Sequence, residues 1–186
     1  MINELVFITS NKGKVTEATR YLKPLGYTVV QRDLGYPEIQ ADTLQEVALY
    51  GVAHVRTKLP SAFFLEDSGV FINALSGFPG VYSKYVFLTI GLPGVLHLMK
   101  EKIDRTAVFR SCIAYWAPGG EPQVFVGECP GTIASETHGT GGFGYDPLFM
   151  PRGSSRTFAE MTTDEKTMLS HRGKAMSLFA EYLAQL

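Results

Sequence analysis

Two adjacent carboxylates at the end of an apolar run are the residues of this chain best placed to do chemistry. Glu66 and Asp67 follow Phe63–Leu65 and precede Ser68 and Gly69. The pattern predicts a buried strand that stops at a polar tip, with Gly69 allowing a sharp turn. In open α/β sheets, ligands bind at the carboxyl ends of strands, where a carboxylate can hold a hard cation or accept a proton from water. Taken alone, the stretch favours the simpler alternative, a turn with a solvated acidic pair.

A second stretch combines hydroxyl, amide and ammonium donors with a predicted helix start. It follows a predicted strand and consists of Thr9, Ser10, Asn11, Lys12, Gly13 and Lys14. Helix N-termini attract anions, so the stretch predicts a phosphate cradle. It lacks the upstream glycine of a Walker A loop. An ordinary helix cap followed by surface lysines explains these residues equally well.

Glu38 lies in a predicted extended connection, and it would meet Glu66 and Asp67 at the same edge of the sheet. Mg²⁺ takes one or two carboxylates and completes its shell with water and substrate phosphates. Together with the phosphate cradle, these carboxylates predict a nucleotide site with Mg²⁺ as cofactor. Alone, Glu38 is equally typical of a solvated loop.

A glycine-rich loop at 139–145 carries Phe143, Gly144 and Tyr145, and Asp146 follows it. Aromatic faces on such a loop can stack a base, although packing into the core is at least as common. Asp146 could orient Arg172 or read a base N–H, or it could be a turn residue before Pro147. His171 and Arg172 offer donors at a predicted helix start, where a solvated first turn is the alternative.

The order of elements predicts an α/β fold. A strand at Leu5–Thr9, a helix and a strand at Tyr27–Gln31 form a β-α-β opening, which favours a parallel sheet. Capping boxes at Thr43–Glu46 and Thr162–Glu165 predict two further helix starts. The remaining predicted elements are a strand at 70–73, a helix at 91–102, a hairpin of 106–117 with 122–128, and a last helix from about Ser170.

Composition limits the function classes. The chain has 186 residues, 45% hydrophobic and 19% charged, with a formal net charge of -1. These values predict one globular domain and disfavour nonspecific nucleic-acid binding. Two cysteines without a CxxC pair, and no charged segment with a cleavable apolar stretch, predict a cytoplasmic protein without a membrane span. The apolar stretch Val86–Met99 is too short to cross a bilayer and predicts a buried segment or a subunit contact.

Five motifs in order make the chain resemble the inosine triphosphate pyrophosphatase (Ham1-like) family over almost its whole length. They are Thr9–Lys14, Glu66–Gly69, Ala74–Ser83, Gly141–Phe149, and Thr157–Met161 with Ser170–Gly173. The resemblance implies a mixed twisted sheet with flanking helices, elongated into two lobes with a central cleft. It places one domain over 1–186, with the second lobe at roughly 106–150. It also implies a homodimer.

The resemblance further implies Mg²⁺-dependent hydrolysis of ITP, dITP and XTP to the monophosphate and pyrophosphate. By position, Thr9–Lys14 would contact the triphosphate, Glu38 and Asp67 would serve the metal, and Asp67 would also be the proton acceptor. Ser68 would touch the substrate. The base and sugar would be surrounded by Phe143, Gly144, Tyr145, Asp146, Lys166, His171 and Arg172.

One departure from the family pattern stands in the helix that follows Glu38. Several relatives carry a phosphate-binding lysine there, where this chain has Tyr50 and Gly51. Two other functions remain open: a Maf-like pyrophosphatase acting on pyrimidine or modified nucleotides, and a nucleotide sensor without turnover. The pair His171-Arg172 argues against the first, and Glu38 with Asp67 argues against the second.

Overall fold

The structure is a computed structural model that describes residues 3–186. Its strands are β1 Asn3–Ile8, β2 Tyr27–Arg32, β3 Phe63–Ile72, β4 Thr106–Trp116, β5 Gln123–Ile133 and β6 Phe149–Pro151. Its helices are α1 Lys12–Leu22, α2 Leu44–Val55, α3 Ser83–Thr89, α4 Gly91–Leu98, α5 Thr163–Leu169 and α6 His171–Leu183. No helix in this described part is long and apolar enough to cross a membrane.

The strands form one mixed sheet, which confirms the predicted fold class. Its order is β2-β1-β3-β4-β5-β6. Strand β1 runs parallel to both β2 and β3, whereas β5 and β6 are antiparallel. The neighbours β4 and β5 are joined by residues 117–122 alone, and a parallel crossover needs a longer connection, so these two strands form the predicted hairpin.

The chain divides into two compact units, each with its own core. The first comprises residues up to Asp67, Ser111–Gly127 and Lys174–Leu186, and the second comprises Ser68–Arg110 and Glu128–Gly173. The first core gathers Phe7, Phe64 and Phe179 with the apolar face of α1, and the second gathers Phe109, Phe149 and Phe158. The predicted lobe at 106–150 and the central cleft stay predictions.

Strand β3 corrects the prediction that the chain turns at Gly69. The strand continues unbroken to Ile72, so Glu66 and Asp67 lie in its middle and no separate strand begins at Val70. Gly69 is needed for a different reason: a Cβ there would collide with the carbonyl oxygen of Gly80. The glycine therefore permits a close approach of two backbone segments.

The starts of the helices agree with the prediction better than their C-terminal ends do. The capping boxes of Thr43 with Glu46 and of Thr162 with Glu165 are both present. Helix α2 ends at Val55, and α4 ends at Leu98 rather than at Lys102, where the predicted helix at 91–102 would end. N-terminal caps depend on side chains close in sequence, whereas helix ends fray into turns.

Candidate active site

Glu66 is a buried carboxylate held by two partners within the first unit. Its Oε1 accepts a hydrogen bond from Ser111 Oγ at 2.6 Å, and its Oε2 lies 2.7 Å from Lys14 Nζ. Lys14 Nζ also donates to the Glu66 backbone oxygen at 2.9 Å. The alternatives of a solvated Glu66 and a surface Lys14 are therefore both wrong.

The parallel pairing of β1 with β3 brings these groups together. Ile8 lies opposite Leu65, so the turn after β1 runs beside Glu66. Asn11 caps α1, because its Oδ1 accepts the N–H groups of Gly13 at 2.8 Å and Lys14 at 3.3 Å. The predicted cap is confirmed, and the turn is ordered by its own side chains. Ser10 and Lys12 are exposed.

Asp67 lies between opposing electrostatic influences. Burial raises the pKa of its carboxyl, and Glu66 and Glu38 raise it further, whereas Lys14 and a hydrogen bond from Tyr36 lower it. The Tyr36 hydroxyl donates to Asp67 Oδ2 at 2.9 Å. Sequence reasoning missed Tyr36, which stands in the irregular connection between β2 and α2 and belongs to no motif.

The carboxylates suit a cation that is shared with a substrate. No cluster of three or more His, Cys, Asp or Glu residues that could hold a metal occurs within residues 3–186. The exposed Glu38 nevertheless acts electrostatically on Asp67, and together with Glu66 it adds negative charge there. Mg²⁺ needs only one or two protein carboxylates when phosphates and water complete its shell. Glu38 and Asp67 therefore fit Mg²⁺ in that mode.

The glycine-rich loop of the second unit is built around Asp146. Asp146 Oδ2 accepts a hydrogen bond from the Phe143 N–H at 2.8 Å and lies 2.7 Å from Lys166 Nζ. A Cβ at Gly142 would collide with this carboxylate. Asp146 lies in a turn, as the alternative expects, but its buried carboxylate is paired with Lys166 and not with the suggested partner Arg172.

Phe143 and Tyr145 have different surroundings. Lys166 Nζ lies 4.6 Å from the centroid of the Phe143 ring, and this ring is half-buried. Tyr145 packs into the core, and its hydroxyl donates to the Ser83 backbone oxygen at 2.7 Å. Tyr145 is buried, whereas Phe143 is only half-buried, so the core-packing alternative holds for Tyr145.

His171 and Arg172 begin α6, and both are buried at 2% exposure, so the solvated-turn alternative is wrong. The His171 ring stacks on Phe109 with centroids 4.2 Å apart. Arg172 Nη2 donates to Ser68 Oγ at 3.2 Å, and Arg172 Cζ lies 5.2 Å from the Phe143 centroid. Ser68, Phe143 and Arg172 are therefore close together.

Comparisons with known proteins show which family of proteins this chain is similar to. The model of the Ham1 family matches residues 5–182. The chain is 54% identical to the dITP/XTP pyrophosphatase of Thermococcus kodakarensis, over 97% of each chain. It is 51% identical to that of Pyrococcus horikoshii, over 97% of this chain and 96% of the relative. A solved structure of a Ham1 protein from Coxiella burnetii superposes with a TM-score of 0.88 at 29% identity, covering 99% of this chain and all of the other.

The Lys14–Glu66 pair predicts a stability effect. Lys14→Met keeps the apolar stem but leaves the buried Glu66 carboxylate without its cation, so the free energy of unfolding should fall by about 3 kcal/mol. The double variant Lys14→Met/Glu66→Gln should regain most of this loss, because the neutral amide costs less to bury. Urea unfolding measures both.

Lys12→Met is the matched control, because Lys12 is an exposed lysine of the same helix. Its free energy of unfolding should change by no more than about 0.5 kcal/mol. If Lys14→Met unfolded at the same urea concentration as Lys12→Met, the pair would have no role in stability.

Proposed function

The chain belongs to the Ham1 family, and we propose that it is a nucleoside triphosphate pyrophosphatase that acts on non-standard purine nucleotides. Its substrates are dITP, ITP and XTP, its products are the monophosphate and pyrophosphate, and it works on the cytoplasmic nucleotide pool. The near full-length identity to dITP/XTP pyrophosphatases carries the assignment. The geometry of Asp67, Lys14 and Glu66 supports it.

For the phosphate chemistry, Asp67 takes the proton of the attacking water. Bound Mg²⁺, held by Glu38 and Asp67, would neutralise charge on the phosphates. Lys14 donates one N–H to the Glu66 backbone oxygen and forms an ion pair with the Glu66 carboxylate, so an N–H of its three can reach a phosphate oxygen. Because Glu66 anchors the ammonium, little side-chain entropy remains to be lost when phosphate binds.

For the base, donors decide the selectivity. Hypoxanthine and xanthine present an acceptor, O6, where adenine presents an amino donor. Arg172 cannot become an acceptor, and its buried guanidinium lies over the half-exposed Phe143 ring. A base stacked on Phe143 with O6 toward Arg172 is accepted, whereas the adenine amino group leaves donors unmatched.

The proposed oligomer is a homodimer. The stretch Val86–Met99 forms most of α3 and α4, and Val86, Val95 and Met99 within it are buried. Its outer face exposes Leu88 at 72% and Ile90 at 45%, and Tyr85 beside it is exposed at 67%. Contiguous exposed apolar side chains are typical of an interaction surface.

Asp67→Asn should abolish pyrophosphate release from dITP in the presence of Mg²⁺, with a loss of about 10²-fold or more, because the amide is no useful base. The substitution is nearly isosteric, so the melting temperature should change little. Asp42→Asn, at an exposed aspartate of the same unit, should leave turnover unchanged. Wild-type turnover in Asp67→Asn would remove Asp67 from the catalytic role.

Arg172→Ala should lower kcat/KM for ITP by about 10- to 100-fold, the value of a charge-assisted hydrogen bond, and should lower that for ATP much less. The ratio of kcat/KM for ITP to kcat/KM for ATP is an internal control, because partial misfolding lowers both values by the same factor. Arg152→Ala, at an exposed arginine of the same unit, should not change the ratio. An equal fractional loss for ITP and ATP would move Arg172 to a structural or phosphate-binding role.

Leu88→Glu should convert the dimer into a monomer in sedimentation velocity at micromolar concentration, because it places a charge in the apolar surface. Ile103→Glu is the control, since Ile103 is fully exposed and lies outside α3 and α4. A wild-type chain that sediments only as a monomer would contradict the proposed dimer.

A further inference from the structure

Tyr36 contacts the proposed proton acceptor although it belongs to none of the motifs of the resemblance. Its hydroxyl donates to Asp67 Oδ2 at 2.9 Å, across 31 residues of sequence. We propose that Tyr36 is a positioning residue, which fixes the Asp67 carboxylate so that Oδ1 is the oxygen presented to water and to the cation. This inference rests on the proposed function.

Gly51 leaves room for the ring of Tyr36. A Cβ at Gly51 would lie 3.0 Å from the Tyr36 ring carbons Cδ2 and Cε2, and 2.9 Å from Leu65 Cδ2. Gly51 stands inside α2, where a glycine costs about 1 kcal/mol relative to alanine. A residue unfavourable to the helix therefore occupies a position at which a side chain would press on the Tyr36 ring.

The same packing explains the departure from the family pattern. Any side chain at Gly51, a lysine included, would need the space that the Tyr36 ring and Leu65 now fill. The chain thus has a phenol hydroxyl on the Asp67 carboxylate in place of an additional cation from α2. The effect on the site differs, because a hydroxyl orients the carboxylate and brings no charge to the phosphates.

A phenol is well suited to orient a carboxylate. With an ordinary pKa of about 10, a tyrosine is protonated at neutral pH and acts as a donor toward a carboxylate. The hydrogen bond makes the two carboxylate oxygens inequivalent, since Oδ2 is engaged and Oδ1 is left for the reaction.

The test is Tyr36→Phe, which removes the hydroxyl and keeps the ring. Tyr50→Phe is the matched control, because Tyr50 is an exposed tyrosine of α2 next to Gly51. Loss of a group that orients a metal-binding carboxylate costs about 10- to 100-fold in metal affinity or activity. We expect kcat for dITP to fall by about that factor in Tyr36→Phe, with KM within about twofold of wild type. Tyr50→Phe should match wild type.

A second measurement needs no turnover. Mn²⁺, as a paramagnetic probe, is titrated by electron paramagnetic resonance in the presence of α,β-imido-dITP, which cannot be cleaved at the reacting bond. Tyr36→Phe should weaken Mn²⁺ binding by about tenfold relative to Tyr50→Phe. Equal Mn²⁺ affinity and equal kcat in the two variants overturn the positioning role. A wild-type chain that releases no pyrophosphate overturns the proposed function, and the Mn²⁺ titration still decides the role of Tyr36.

Gly51→Ala tests the support of the ring. It should improve the intrinsic stability of α2 and still lower kcat, because the methyl group displaces Tyr36. In the Tyr36→Phe background it should add little further loss, since both changes act through one hydroxyl. Fully additive losses would overturn the claim that Gly51 acts through Tyr36.

Discussion

The burial of the Glu66 carboxylate is the constraint on which the first unit depends. An ionised carboxylate in a protein interior is costly unless it is paired and hydrogen-bonded. Glu66 therefore requires Lys14 from α1 and Ser111 from β4. Meeting that requirement fixes the start of α1 beside the middle of β3, and it delivers an ammonium group next to Asp67. The positive charge beside Asp67 is thus a consequence of neutralising its buried neighbour Glu66.

Asp67 has a different kind of environment. Burial and two acidic neighbours favour its protonated form, while Lys14 and Tyr36 favour the carboxylate. A base must give up its proton again after each turnover, so a carboxylate held between these opposing influences is better suited to the role than one firmly held in either form. An arriving cation would add to the influences that favour the charged form.

What could be predicted from the sequence was local. The caps at Asn11, Thr43 and Thr162 join residues within a few positions, so the sequence alone indicates them. The continuity of β3 could not be predicted, because the reason for Gly69 is the carbonyl of Gly80 in a later loop. The resemblance supplied Lys166 and Arg172, which composition and spacing alone do not place near Phe143. Neither the sequence pattern nor the resemblance identified Tyr36, because its partner Asp67 is distant in sequence and Tyr36 belongs to no motif.

Two glycines leave space for side chains of the proposed sites. Gly51 leaves room for the ring whose hydroxyl holds Asp67, and Gly142 leaves room for the carboxylate that holds Lys166 and the Phe143 N–H. At both positions a Cβ would press on a functional side chain rather than on inert packing. Gly142 has a φ of +70°, so its backbone also favours glycine, whereas Gly51 lies inside α2 and weakens that helix. Its presence in α2 indicates that the position of the Tyr36 ring matters more than local stability. Substituting Gly51 should therefore impair the chemistry at Asp67 before it impairs the fold.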